Sequence, residues 1–261
     1  IVNVVDTTLP EITLLGNSNE DIDVGSVYID PGASATDNYD GDITDLIVVL
    51  GSVDPTTIGT YYLQYNVTDS EGNDAITMTR TINVGDQIPP TISLFGSQSI
   101  TIEVGSSYSD SGASAIDNYD GNISSLIQVS GSVDPSVVSL YTIDYDITDS
   151  SGNSATTVTR TVNVVDTTKP VINLSGNSST TIESGLIYID SGATVSDNYD
   201  SGLTYNVDLS VVDTSTLGTY TLTYSATDSS GNQADPVYRT VEVIDTTLPV
   251  INIIGSSVMN V

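Results

Sequence analysis

Three acidic stretches recur along this chain, and their residue types are those that bind cations. The stretch "DNYDGDIT" at 37–44 places three carboxylates within six positions, and it returns as "DNYDGNIS" at 117–124 and as "DNYDSGLT" at 197–204. No lysine, arginine or histidine lies nearby in the sequence to neutralise them. Clustered carboxylates raise one another's pKa values unless a cation joins them, and carboxylate and amide oxygens are the ligands that calcium prefers. The stretches therefore predict a divalent-cation site in each copy.

Two further acidic motifs repeat with the same spacing. One reads "VVDTTLP" at 4–10, "VGDQIPP" at 84–90, "VVDTTKP" at 164–170 and "VIDTTLP" at 243–249. The other reads "TDSEGN" at 68–73, "TDSSGN" at 148–153 and "TDSSGN" at 227–232. The period is 80 residues, with one deletion in the third copy, which suits a small whole domain. We therefore predict the last strand of a preceding repeat at 1–5, complete repeats at 6–85, 86–165 and 166–244, and the first strand of a following repeat at 245–261.

The segments between these motifs alternate apolar and polar residues. In "YTIDYDIT", 141–148, every second residue from Tyr141 to Ile147 is apolar or aromatic, and the residues between them are polar. This alternation is typical of an antiparallel sheet with one polar face, and no segment has the period of a helix. Gly- and Asp-rich turns follow about every 8–12 residues. The pattern predicts all-β, two-sheet sandwich domains, and the Gly-x-Tyr of "IGTYYLQY" at 58–65 predicts a tyrosine corner.

The composition excludes several classes of function. The chain has 34 acidic and four basic residues, a net charge of -30, no cysteine and no histidine. Such a charge repels nucleic acid and anionic membrane surfaces, so neither is an expected partner, and no apolar stretch is long enough for membrane insertion. Without Cys or His there is no thiolate nucleophile and no imidazole base, and we expect no catalysis. The tripeptide "DTS" at 213–215, which resembles an aspartic protease motif, is predicted to be a turn.

The three motifs together, D-T-x-x-P, D-N-x-D-G and T-D-x-x-G-N, resemble those of the bacterial immunoglobulin-like domain repeated in surface proteins. The same domain type is attached to a pesticidal crystal protein, and hyalin repeats are similar. The resemblance implies tandem immunoglobulin-like, cadherin-like antiparallel β-sandwich domains in a linear array, and no activity of the domain itself. The third copy departs from the pattern, because its glycine moves to Gly202 and the acid at the position of Asp42 is lost.

In an immunoglobulin-like sandwich the entry to the first strand, the B–C loop and the F–G loop lie at one pole, so the resemblance implies that the three motifs of a repeat meet there. The absence of His and Cys favours calcium over zinc, copper or iron, and magnesium retains more of its waters. The alternative is that these residues cap their own turns without an ion. The predicted calcium ligands are Asp6, Asp37, Asn38, Asp40, Asp69 and Asn73, then Asp86, Asp117, Asn118, Asp120, Asp149 and Asn153, then Asp166, Asp197, Asn198, Asp200, Asp228 and Asn232.

Two other recurring residues leave alternatives open. Arg80, Arg160 and Arg239 occupy one position of the repeat, where strand alternation directs the side chain inward. An unpaired buried guanidinium is costly, so either it pairs with the acid of "YIDPGA", Asp30 in the first copy, or a β-bulge turns it outward. Tyr39, Tyr119 and Tyr199 lie inside the acidic loops. Each of these rings either packs against the preceding domain or covers its own loop.

The function predicted from these features is a calcium-stiffened structural repeat segment of a long extracellular stalk, filament or adhesin shaft at a cell surface. The expected partners are neighbouring repeats of the same chain and, in a filament, identical chains. One alternative is an adhesin that binds carbohydrate or protein on its exposed loops. Another is the accessory region of a secreted toxin or hydrolase. Near-identical loops in all three copies favour the shaft.

Overall fold

The computed structural model of the chain describes residues 1–252 and 254–255, and this part of the chain is all-β. Strands form where β-branched and aromatic residues alternate with polar ones between glycine- and aspartate-rich turns. Three short 3₁₀ turns lie at Thr44–Leu46, Ser124–Leu126 and Leu209–Val211. No helix within the described residues is long and apolar enough to cross a membrane. The all-β prediction is confirmed.

The strands fall into three successive sets. The first set is β1 (Glu11–Leu14), β2 (Asn19–Asp23), β3 (Ala33–Asp37), β4 (Gly41–Asp42), β5 (Val48–Leu50), β6 (Gly59–Asn66) and β7 (Met78–Gly85). The second is β8 (Thr91–Leu94), β9 (Ser99–Glu103), β10 (Ala113–Asp117), β11 (Gly121–Asn122), β12 (Gln128–Ser130), β13 (Ser139–Asp146) and β14 (Val158–Val165). The third is β15 (Val171–Leu174), β16 (Ser179–Glu183), β17 (Ala193–Ser196), β18 (Asn206–Val207), β19 (Gly218–Ser225) and β20 (Val237–Ile244). The third set has no counterpart of β4, because Ser201 stands where the other copies begin this strand with glycine.

Each set forms two sheets. In the first set the strand orders are β1-β3-β4 and β2-β7-β6-β5. The second set gives β8-β10-β11 and β9-β14-β13-β12, and the third gives β15-β17 and β16-β20-β19-β18. Strand β2 runs parallel to β7, and β16 runs parallel to β20. The β1–β3 and β6–β7 pairs and their counterparts in the third set, β15–β17 and β19–β20, are antiparallel. The parallel pairs arise because the chain leaves the first sheet after β1 or β15 and joins the second sheet beside its last strand.

The described chain forms two compact units. The first contains 1–99, 110–132 and 142–161, and the second contains 100–109, 133–141 and the chain from 162 onwards. The first predicted repeat therefore lies wholly in the first unit and the third wholly in the second. The repeat boundaries themselves stay a prediction. Residues 1–10 and the described part of 245–261 form no strand, and residues 253 and 256–261 of the strand predicted there lie outside the described residues.

The core of the first set lies between its two sheets. Strand β6 directs Leu63 and Tyr65 inward, Val67 follows them, and Gln64 faces solvent. Burial of one such apolar side chain stabilises the fold by about 1.5–3 kcal/mol. The buried cluster comprises Ile12, Ala33, Ala35, Ile43, Leu63, Tyr65, Val67, Ile82 and Val84. The alternation predicted for these strands is thus the pattern that builds the core.

A tyrosine near the start of β6 closes the turn before it. The hydroxyl of Tyr61 donates a hydrogen bond to the carbonyl of Thr57 at 2.9 Å. The same bond joins Tyr141 to Val137 at 3.2 Å and Tyr220 to Thr216 at 2.9 Å. The predicted tyrosine corner is confirmed, and it occurs in all three copies.

The recurring arginine is buried and paired, as the first of the two alternatives predicted. Arg80 is fully buried, and its Nε lies 3.4 Å from Oδ1 of Asp30. Its Nη2 donates to the carbonyls of Leu15 at 2.6 Å and Gly32 at 2.8 Å, and Tyr65 donates to Asp30 at 2.6 Å. The guanidinium therefore joins both loops that flank the first sheet. Equivalent contacts join Arg160 to Asp110, Phe95 and Gly112, and Arg239 to Asp190, Ser175 and Gly192.

One glycine in the turn after β5 allows two strands to approach closely. Gly51 has φ +104°, and a Cβ at this position would lie 2.2 Å from the carbonyl oxygen of Tyr62. We expect Gly51→Ala to lower the free energy of unfolding by about 2 kcal/mol, through backbone strain and this clash. Gly25→Ala is the matched control, because Gly25 also has a positive φ, +83°, but no atom within 4 Å of the added carbon. Urea unfolding of both variants measures the difference, and equal losses would contradict a role for the close approach.

Candidate metal centre

Three aspartates from separate segments meet at one end of the first repeat. Asp6 precedes β1, Asp37 ends β3, and Asp69 lies in the loop between β6 and β7. One carboxylate oxygen from each lies within 4.8 Å of the other two. The second repeat brings together Asp86, Asp117 and Asp149 in the same way, and the third brings together Asp166, Asp197 and Asp200. Oxygens at this spacing are compatible with one ion at about 2.3–2.6 Å from each.

Local turns orient the first two carboxylates of each cluster. Oδ2 of Asp37 accepts hydrogen bonds from the backbone amides of Tyr39 at 2.7 Å and Asp40 at 3.1 Å, which closes the turn after β3. Oδ1 of Asp6 accepts from the amide of Thr8 at 3.0 Å. In both residues one carboxylate oxygen is engaged by the turn and the other is left over. Turn geometry therefore fixes which oxygen each residue can offer to an ion.

The oxygens left over are buried and have no hydrogen-bond partner among the described residues. They are Oδ2 of Asp6, Oδ1 of Asp37, Oδ2 of Asp86, Oδ2 of Asp117, Oδ2 of Asp166 and Oδ1 of Asp197. Four of these residues, Asp37, Asp86, Asp117 and Asp166, are only 4–8% exposed. A buried carboxylate oxygen without a donor costs free energy, which a bound cation would remove. The donor set, made only of oxygens in a chain without His or Cys, fits a hard divalent cation such as calcium.

The third carboxylate of the first cluster is held in its ionised form by its own loop. Oδ1 of Asp69 accepts from the amides of Asn73 at 2.7 Å and Glu71 at 3.0 Å, and Oδ2 accepts from Nδ2 of Asn73 at 2.7 Å. Burial alone would raise the pKa of Asp69, but these hydrogen bonds lower it below its usual range. The pKa values of Asp149 and Asp228 are lowered for the same reasons.

The asparagine of the same loop braces the linker that precedes the repeat. Nδ2 of Asn73 donates to the backbone carbonyl of Asp6 at 3.3 Å as well as to Asp69. Asn153 donates to the carbonyl of Asp86 at 3.1 Å, and Asn232 donates to that of Asp166 at 3.1 Å. The amide nitrogens of these asparagines thus tie the linker to the loop. Their role as neutral oxygen ligands stays a prediction. Asn38, Asn118 and Asn198 are exposed.

Asp40 lies beside the first cluster and not within it. Its two oxygens accept from the amide and the hydroxyl of Ser70, at 2.8 and 2.9 Å, so it joins the two loops directly. Asp120 makes the same pair of bonds with Ser150, and Asp200 makes it with Ser229. Of these three residues Asp200 also belongs to a carboxylate cluster, with Asp166 and Asp197; Asp228, which was predicted as a ligand beside it, is not in that cluster. We call the end of a repeat that carries its carboxylate cluster its pole. The pole of the third repeat is therefore arranged differently from the other two.

In the third repeat, burial and the clustering of carboxylates together raise the pKa of Asp166. Burial raises the pKa of Asp166, and the charges of Asp197 and Asp228 raise it further, while the amide of Thr168 and the hydroxyl of Ser230 oppose the increase. Desolvation and like charges both disfavour the ionised carboxylate. A divalent cation would favour the ionised carboxylate and so offset both effects.

Tyr199 lies in an open cleft of about 550 Å³. The cleft is also lined by residues of the second repeat, including Ser139 and Leu140, so this ring lies beside the preceding repeat. Tyr199 is 37% exposed, Tyr119 is 48% exposed and Tyr39 is 72% exposed. For Tyr199, packing against the preceding repeat is the alternative that agrees with its position.

Sequence analysis did not single out two glutamates that contact the linkers. Glu103 ends β9 and Glu183 ends β16, and Asp23 has the same place at the end of β2. The signal was present, because an acid recurs in "DIDVG", "TIEVG" and "TIESG" at a constant distance from the linker. It was missed because nothing local in the sequence shows that these acids face a segment more than 60 residues further along.

Comparisons with known proteins agree with this architecture. The chain matches the family described as "Bacterial surface protein, Ig-like domain" three times, at 12–84, 92–164 and 172–243. It is 28% identical to hyalin of Strongylocentrotus purpuratus over 263 residues, which cover 94% of this chain and 22% of hyalin. It is 29% identical to pesticidal crystal protein Cry22Aa of Bacillus thuringiensis over 243 residues, which cover 87% of this chain and 32% of that protein.

The chain thus spans a third or less of the length of these two relatives. Among solved structures, Drosophila N-cadherin EC1-4 matches 92% of this chain and 76% of its own, with 12% identity and a TM-score of 0.28.

Proposed function

The chain belongs to the bacterial surface protein Ig-like domain family, and on this premise we propose that it is a calcium-stiffened structural repeat segment of an extracellular stalk, filament or adhesin shaft. Its role is mechanical, and we propose no catalysis within it. The partners are the neighbouring repeats of the same chain and, in a filament, identical chains. The net charge of -30 keeps nucleic acid and anionic membrane surfaces away from this segment.

The observation that carries the proposal is the composition of each cluster. One carboxylate comes from the linker before a repeat, and the others come from loops within it. The linker aspartate and the first loop aspartate each keep one buried oxygen without a partner. Calcium would supply the missing positive charge and join linker to loop. Turn formation alone explains the hydrogen-bonded oxygens, but it gives no reason for the two that remain free.

The residues of the chain prepare the joint in three ways. The Asp37 turn and the Asp6 turn aim their free oxygens, while Asn73 holds the linker backbone. Asp40 fixes the two loops to each other through Ser70. The linker also ends in the buried Pro10, whose ring restricts the backbone. With the ion in place, little rotational freedom is left between a linker and the repeat that follows it.

Calcium titration by isothermal calorimetry, with elemental analysis of the dialysed protein, tests the proposal. We expect saturable binding of one ion per cluster, three per chain, at calcium concentrations up to about 1 mM, as for extracellular modules. Asp37→Asn should remove one ion. Asp45→Asn removes the same charge from an exposed position outside the cluster and is the matched control, with no ion lost. Fewer than two ions per wild-type chain would overturn the proposal.

A further inference from the structure

The glutamate at the end of β9 holds the linker between the second and third repeats. Both carboxylate oxygens of Glu103 accept from the amide of Thr167, at 3.0 and 3.1 Å. Oε2 also accepts from the hydroxyl of Thr167 at 2.7 Å, and Oε1 accepts from the hydroxyl of Thr168 at 2.8 Å. These hydrogen bonds from Thr167 and Thr168 lower the pKa of Glu103 to about 2. The linker is therefore attached to the strand that lies before it in the chain.

The same two threonines lead directly to the metal centre. The amide of Thr168, whose hydroxyl contacts Glu103, donates to Oδ1 of Asp166 at 3.1 Å. The other oxygen of Asp166 is the buried one without a partner. Glu103, Thr168 and Asp166 thus form one continuous chain of hydrogen bonds. Its effect is to fix which Asp166 oxygen faces the cluster of the third repeat.

The linkers that follow the three repeats differ in the strength of this attachment. At the end of β16, Glu183 accepts from the amides and hydroxyls of Thr246 and Thr247, and Thr247 donates to Oδ1 of Asp245 at 3.0 Å. At the end of β2 the shorter Asp23 accepts one bond, from the amide of Gln87 at 2.9 Å.

The residue after Gln87 in the linker between the first and second repeats is Ile88, which has no hydroxyl. Its amide donates to Oδ1 of Asp86 at 3.3 Å. The linker before the second repeat is therefore held by one hydrogen bond where the others are held by four.

We propose that Glu103 is a positioning residue for Asp166, so that strand β9 of one repeat sets the cation affinity of the next. This inference rests on the proposed calcium site. Groups that hydrogen-bond and orient a ligand without touching the metal commonly change metal affinity by about 10–100-fold. A ligand held in its binding geometry loses less conformational entropy when the ion binds. Asp86, with a weaker attachment, is the less preorganised ligand.

Calcium titration followed by amide NMR tests this site by site, since Gly231 lies in the third metal loop and Gly152 in the second. For Glu103→Gln and Glu103→Ala we expect about a tenfold loss of calcium affinity at the third pole and no change at the second. Glu242→Gln removes the same charge from an exposed position of β20 and should leave both affinities unchanged. An unchanged second pole also shows that the second repeat, which contains Glu103, is folded, and unchanged amide shift dispersion of the third repeat shows the same for that repeat.

A gain of affinity provides the converse test. Replacing Asp23, Gln87 and Ile88 together by Glu, Thr and Thr copies the stronger attachment into the linker between the first and second repeats. We expect this triple variant to bind calcium more tightly at the second pole. The hydrogen-exchange rate of the Thr167 amide in the metal-free chain measures the attachment independently of calcium. This rate should be higher in Glu103→Ala, because the amide loses its acceptor.

Two negative results are distinguishable. If the wild-type chain binds no calcium, the proposed function fails, and this inference fails with it. If Thr167 exchange accelerates but calcium affinity at the third pole does not change, the positioning role of Glu103 is overturned and the proposed function stands.

Discussion

Asp190→Ala is expected to lower the free energy of unfolding of the third repeat by about 3–5 kcal/mol. Arg239 is 2% exposed, and its guanidinium pairs with Asp190. Removing the carboxylate leaves a buried positive charge whose remaining partners include backbone carbonyls and the Tyr224 ring, 5.6 Å away, with no negative charge among them. It also removes the acceptor that Tyr224 uses at 2.7 Å. Domains have only about 5–15 kcal/mol of stability in total. The variant should therefore lose a large part of the stability of this repeat, and its unfolding transition should move to a lower urea concentration.

The matched control uses the exposed ion pair of the same repeat. Lys169 and Asp235 lie 2.8 Å apart with side chains 59% and 86% exposed. Asp235→Asn should change the free energy of unfolding by less than about 0.5 kcal/mol, because exposed pairs contribute little. Urea unfolding followed by tyrosine fluorescence compares the two variants. Similar losses from both would mean that burial of the arginine pair does not determine stability.

The same pair predicts a dependence on pH. Burial alone would raise the pKa of Asp190, but hydrogen bonds from Tyr224, Tyr188 and Gly192 and the charge of Arg239 lower it below its usual range. A carboxyl group with a lowered folded-state pKa stabilises the fold above its unfolded pKa. That stability is lost as pH falls through the folded value. Acid unfolding of the third repeat should therefore be less steep in the Asp190→Ala variant than in the wild type.

Removal of calcium is expected to lower the free energy of unfolding of each repeat by about 2.7 kcal/mol, compared with free calcium at a hundredfold excess over its dissociation constant. Repulsion among the clustered carboxylates then acts without compensation and adds to the loss. Repeats of about 80 residues without disulfides have small cores, so the melting temperature should fall clearly. Thermal unfolding in calcium and in chelator measures this. A melting curve that is the same in both would show that these loops form without help from an ion.

Asp37→Asn separates the ion from the turn. The amide side chain keeps an oxygen for the backbone amides of Tyr39 and Asp40, while the negative charge is lost. We expect the calcium-dependent part of the stability of the first repeat to disappear and its calcium-free stability to remain or rise. Asp45→Asn should keep the full response to calcium. A variant destabilised equally with and without calcium would indicate a role in the turn alone.

Much of the fold could be predicted because its determinants are local. Alternation in β6 and β13 marked the buried faces, and the Gly-x-Tyr motif placed the tyrosine corner. The register of β7 directed Arg80 inward, but pairing with Asp30 and a β-bulge that turns the side chain outward both remained open until the structure showed the pair. The parallel strand β2 was not foreseen. Its sequence "NEDID" has three acids, and alternation does not encode the direction of the neighbouring strand.

The candidate site was predictable only in part, for a related reason. Repetition marked the three acidic motifs, and the resemblance to an immunoglobulin-like sandwich implied that they meet, as Asp6, Asp37 and Asp69 do. The hydrogen bonds within the pole depend on side-chain rotamers and on contacts between distant segments. Sequence therefore could not show that Asp40 accepts from Ser70, or that the Asn73 amide faces the linker. Sequence likewise gave no sign that, of the two predicted ligands Asp200 and Asp228, Asp200 would lie in the third cluster and Asp228 would not.

The parallel pairing of β2 with β7, the last strand, determines how this part of a repeat carries tension. Force that enters through β2 and leaves through β7 draws these two strands past each other along their length. The hydrogen bonds between Asn19–Asp23 and Thr81–Gly85 are then sheared together, whereas a hairpin pulled from its open end loses its bonds one at a time. The third repeat repeats this arrangement between Ser179–Glu183 and Thr240–Ile244. Each such repeat would hold its length under a steady pull and yield only when the whole ladder ruptures.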